Sequence, residues 1–132
     1  MYMIKEVILY AVILTLVDYL YLSNVSHLYN KLMLKIQGSK LEFKLVPAIV
    51  VYLSLVASWG YFIYPTLGKK TLQQSCIDAA VLGFVIYSVY DFTNMATIKD
   101  WRLDLSIMDS IWGAILYALS TFIYAKLSGF LF

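Results

Sequence analysis

The chain has 132 residues, of which 62 % are hydrophobic and only 14 % charged, with a formal net charge of +2. A soluble domain this small has much surface for little core and needs more polar residues to cover it, whereas a disordered chain needs low hydrophobicity and high charge. The composition points instead to an integral membrane protein of one domain, residues 1–132, and its weak net charge argues against nucleic acid as a partner.

An apolar run over residues 7–25 carries one charge, Asp18. Lys5 and Glu6 precede it, but the run is long enough to span and has no clear small-x-small cleavage site, so it reads as a retained first helix. At 1.5 Å per residue, about 20 residues cross a hydrocarbon core of roughly 30 Å. Over residues 26–44, Leu28, Leu32, Met33 and Ile36 recur at helical spacing, with Lys31, Lys35 and Lys40 between them and Gly38 as a breaker. This stretch is expected to be an amphipathic helix lying at the interface, with a solvated linker as the alternative.

A second span, residues 45–64, carries no charge; Pro47 falls in its first turn, where a missing N–H costs little, and Pro65 follows its end. The third span, residues 76–98, carries Asp78 and Asp91, and the fourth, residues 105–125, carries Asp109. Strand-like alternation is absent, and an open sheet edge cannot face lipid. The expected fold is all-α: a bundle of four transmembrane helices, sequential neighbours antiparallel across the short loops at residues 66–75 and 99–104. Both termini then share one side with Lys5, Lys69, Lys70 and Lys126. The opposite side holds Lys31, Lys35, Lys40, Lys44, Lys99 and Arg102, an excess that favours it as cytoplasmic.

A charged group in hydrocarbon costs roughly 2.5–3.5 kcal/mol on insertion scales, so each acid needs a reason. Asp18 and Asp91 each stand about seven residues before a span end, and Asp109 about four after a span start, all on one side. The three carboxyls are therefore expected at similar depth, roughly 6–11 Å below that surface. Helical spacing puts Tyr87, Asp91 and Asn94 on one face of the third span. It likewise aligns Ser106, Asp109, Gly113, Tyr117 and Ser120 on the fourth, and Ala11, Thr15, Asp18 and Leu22 on the first. Asn94, Thr97 and His27 are candidate hydrogen-bonding partners for the carboxyls, and Lys44, Lys99 and Arg102 candidate ion-pair partners. Tyr90 and Trp112 lie deep enough to line a pocket or to fill the bundle. Most other aromatics fit interfacial belts.

The stretch Tyr-Asp-Phe-Thr-Asn-Met-Ala-Thr-Ile-Lys-Asp-Trp at residues 90–101, followed by Met-Asp-Ser-Ile-Trp-Gly at 108–113, resembles the signature of a small four-span membrane family, domain of unknown function 2177. The resemblance rests on Tyr90, Asp91, Asn94, Ala96, Thr97, Trp101, Asp109, Trp112 and Gly113 and extends into the first two spans. Members of that family usually have Gly where this chain has Asp100 and Leu where it has Phe92. They commonly carry Trp near the position of Asp18, where this chain has Tyr19 and Tyr21. The resemblance implies the four-span architecture and no established activity.

Three readings follow. In the first, Asp18, Asp91 and Asp109 are acceptors in a polar pocket for a lipid head group or small polar ligand, with Tyr90, Asn94, Thr97 and Trp112 around them. In the second, the polar residues are hydrogen-bonding glue between helices of an accessory subunit, which packs against other membrane proteins or copies of itself. In the third, the chain is a lipid-modifying enzyme or proton-linked transporter. Catalysis has the least support, since no nucleophile signature appears and four spans are few for alternating access. No cofactor is expected, and His27 lacks a metal-ligand spacing. Membrane lipids are the expected partners, in a membrane that the residues do not specify.

Overall fold

The computed structural model describes residues 2–132 and consists of α1 (Tyr2–Gln37), α2 (Leu45–Phe62), a single 3-10 turn (Tyr64–Thr66), α3 (Leu72–Thr97) and α4 (Leu103–Leu131). All four helices are long and apolar enough to cross a bilayer. Their burial pattern is that of a protein dissolved in lipid. Ile4, Ile8, Val12 and Leu16 make an exposed apolar stripe along α1, while Glu6, Asp18, Asp91, Ser106, Asp109, Ser120 and Thr121 are buried in the bundle. The stripe expected on α4 is found intact, with Ser106, Asp109, Gly113, Tyr117 and Ser120 all buried. That of α1 is not: Thr15 and Leu22 are exposed, and the inward face is Glu6, Tyr10, Leu14 and Asp18. The Tyr10 ring sets this rotation by stacking on Trp59 of α2 at 3.7 Å.

α4 is the hub of the bundle. It packs along α3 and against α1, and its side chains reach α2. The Tyr117 hydroxyl donates to the Leu55 carbonyl at 2.7 Å and lies 2.8 Å from the Ser58 hydroxyl, while the Trp59 indole N–H donates to Thr121 at 3.1 Å. Gly83 and Gly113 mark the closest approach of α3 and α4, since a Cβ on either would collide with the other's carbonyl oxygen. Small residues at such a crossing let two membrane helices gain dispersion contact without a hydrophobic driving force.

The amphipathic stretch does not form a separate interfacial helix. α1 runs unbroken to Gln37, about 54 Å at 1.5 Å per residue, well beyond a core of roughly 30 Å. Nothing before Gly38 breaks it, and elongating an existing helix costs no new nucleation. Leu32 is buried, and Leu28, Met33 and Ile36 are partly buried on the overhang. Gly38 then ends the helix at φ +76°, its N–H donating to Leu34. The loop folds back, with the Asn30 side chain accepting from the Leu41 N–H at 3.0 Å.

α3 starts a turn earlier than expected because the Thr71 side chain caps it, accepting from the Gln74 N–H at 3.1 Å. Asp78 sits near this end, bonded by Lys70 and Gln74, each at 2.8 Å. In the tight α3–α4 turn Asp100 takes φ +69°, a left-handed conformation that favours glycine. Asp100→Gly is accordingly expected to stabilise the protein by up to about 1 kcal/mol, read as a higher unfolding midpoint in detergent. A lower midpoint would show that the Asp100 side chain outweighs its backbone.

Candidate functional site

Asp91 and Asp109 each lie six residues inside their helices, about 9 Å from the α3 end and the α4 start, because six residues rise that far. The α3–α4 crossing sets the two carboxyls beside each other. Asp91 is completely buried, and neither of its oxygens finds a donor group among the described residues. Asp109, 9 % exposed, accepts a long bond of 3.4 Å from the Tyr21 hydroxyl of α1.

Asp18 is placed differently. The Tyr52 hydroxyl of α2 donates to one of its oxygens at 2.5 Å, and the Trp112 indole N–H of α4 donates to the other at 3.0 Å. One buried carboxyl thus ties three helices together. Tyr21 stacks on Trp112, with ring centroids 4.3 Å apart and planes 3° from parallel. The route Tyr52–Asp18–Trp112–Tyr21–Asp109–Asp91 is therefore continuous in contacts, and it joins the three acids into one layer.

The remaining candidates divide. Asn94 lies at the rim, partly buried. Tyr90 is 60 % exposed, meets Trp101 edge-on with centroids 6.4 Å apart, and lines the same groove as Asp109 and Asn94. Thr97 is exposed and bonds its own helix at Thr93, so it takes no part in the layer. His27 is exposed. The basic residues do not reach the acids either: among the described residues the ion pairs are Lys70–Asp78 and Arg102–Asp104. Nor do three His, Cys, Asp or Glu side chains among them converge to hold a metal.

Asp109 opens at one side. A groove of about 480 Å³ runs between the α1 overhang, the end of α3 and the Trp101 turn, walled by Leu22, Met33 and Ile36 and bordered by Asn94, Trp101 and Asp109. Tyr29 also lines it, with its buried hydroxyl beside Tyr21 and Asp109 but in no bond of ordinary geometry. Tyr21, Tyr29 and Tyr52 escaped the sequence reading. The available signal was Tyr52 in an otherwise uncharged span, and Tyr21 three residues beyond Asp18 on the same face.

At the opposite end Glu6 is also buried, one oxygen unpartnered, near the Tyr124 hydroxyl. Tyr124 packs edge-on against Trp59 at 5.0 Å. The sequence reading treated Glu6 as a flanking charge.

No curated protein and no solved structure matches the chain. The family model described as a predicted membrane protein (DUF2177) matches residues 3–125, and with nearly the whole chain covered the protein belongs to that family of multi-pass membrane proteins.

Proposed function

We propose that the Asp91–Asp109 pair is a site for a polar ligand drawn from the membrane, a lipid head group or small polar molecule, with the two carboxyls as acceptors. The observation that carries this reading is Asp91, wholly buried with both oxygens lacking a donor. A buried polar group left unbonded costs about 1–3 kcal/mol, more when charged, so a packing residue would be expected to have its partners. The groove beside Asp109 supports the same reading, its volume lying within the roughly 300–1,000 Å³ usual for small-ligand sites. On charge balance this end of the bundle faces the cytoplasm.

Asp18 supports the second reading, helix glue, for itself alone: both its oxygens are bonded to neighbouring helices. Asp18 positions the layer, and Asp91 and Asp109 bind. The test is native mass spectrometry of the full chain extracted with its own lipids. Wild type should retain a small molecule or lipid that Asp91→Asn and Asp109→Asn lose, while both variants keep wild-type helicity and elution volume. Retention unaffected by either change, or collapse of both variants, would leave only the packing role.

A further inference from the structure

We propose that the ligand of this site is an amphiphile with a primary ammonium head, its nitrogen seated against Asp109 with Asp91 behind and its apolar chain lying in the groove; this rests on the reading just given. Charge comes first. A carboxylate at Asp109 would have no cation beside it, since among the described residues the ion pairs are Lys70–Asp78 and Arg102–Asp104. A desolvated charge needs an opposite charge with good hydrogen-bond geometry.

Donor count comes next. An ammonium offers three N–H donors and no acceptor. The groove lining offers acceptors in Asp109, the Asn94 side chain and the Tyr29 hydroxyl, with Asp91 behind Asp109 and outside the lining. A quaternary ammonium has no N–H to give them, and a phosphate would be repelled. The walls then select the rest of the molecule. Leu22, Met33 and Ile36 are apolar, which suits an alkyl chain rather than a free amine or metal ion. The Tyr29 and Trp101 rings add faces toward which a cation is attracted.

The probe is dodecylammonium, titrated into the full chain in phosphatidylcholine nanodiscs and followed by tryptophan fluorescence, with empty nanodiscs subtracted. Trp101 at the groove is the reporter. Saturable binding is expected, at least about tenfold tighter than for dodecanol, dodecyl phosphate or dodecyltrimethylammonium, since one charge-assisted bond is worth that much. Asp109→Asn should weaken it by a similar factor. Leu22→Phe should do the same by narrowing the groove with the acids untouched and no tryptophan added to the signal, and it decides the matter if Asp109→Asn fails to fold. Asp78→Asn, at the other end of α3, should bind as wild type.

Equal affinity for dodecanol or the trimethyl probe, or undiminished binding in Leu22→Phe, would overturn the proposal. Carboxyl-dependent retention of a species without an amine in the mass-spectrometric experiment would sink the ammonium and leave the site standing. Retention of nothing there would sink the site itself.

Discussion

Gly113→Val is expected to pull α3 and α4 apart and lower stability by about 3 kcal/mol, the upper end for overpacking. A Cβ at Gly113 would stand 2.6 Å from the Gly83 carbonyl oxygen and 2.5 Å from the Tyr87 ring. The ring can turn aside, but a backbone carbonyl in mid-helix moves only if its helix moves. The cost extends past the clash itself, because the same crossing sets Asp91 against Asp109. A shift of about one ångström at a site normally held within roughly half an ångström disables it. Gly129→Val provides the control, since a Cβ there meets nothing within 4 Å. Unfolding in a graded detergent mixture, followed by circular dichroism, should show a large loss for Gly113→Val and little change for Gly129→Val. Equal midpoints would mean that the seam is not where the bundle is held.

The residues that sequence reading placed well share one property: they are rare where they stand. An aspartate in hydrocarbon is expensive enough that Asp18, Asp91 and Asp109 had to be inward, and helical rise alone put them in one layer. The α4 stripe was legible because five small or polar residues repeat at helical spacing in an apolar run. Tyr90 lines the groove rather than the helix contact, and Thr97 falls outside both, for a geometric reason. Each residue turns the helix by about 100°, so Tyr90 is a full step around from Asp91, and Thr97, six residues on, is about 120° away. Asn94, three residues on, stays about 60° away and ends at the rim.

The rest depends on rotations and partners that hydropathy does not encode. With 12 tyrosines in the chain, residue type alone does not distinguish an interfacial ring from one donating to a buried acid. Tyr52 and Tyr21 became recognisable only once α2 and α4 were docked against α1. Hydropathy likewise marks where a helix leaves lipid and not where it ends, which is why α1 outran its span by a further twelve residues, from Val25 to Gln37. That overhang builds one wall of the groove, so the misread segment is also the one that shapes the candidate site.

Asp18→Ala should cost up to about 2–6 kcal/mol, because it leaves the half-buried Tyr52 hydroxyl and Trp112 indole N–H without their acceptor, at roughly 1–3 kcal/mol each. Its effect should also travel. Trp112 loses the bond that orients it, its stack with Tyr21 loosens, and the Tyr21 hydroxyl is no longer held toward Asp109. Asp18→Asn keeps an oxygen that can accept one of the two bonds and should cost less. Asp91→Asn should cost least, since Asp91 has no donor to lose. The ordering of unfolding midpoints, with Asp91→Asn near wild type, Asp18→Asn below it and Asp18→Ala lowest, separates a carboxyl that holds helices from one that awaits a ligand. If Asp91→Asn fell as far as Asp18→Ala, the two acids would be doing the same structural work, and the layer would be a set of cross-braces with no binding role.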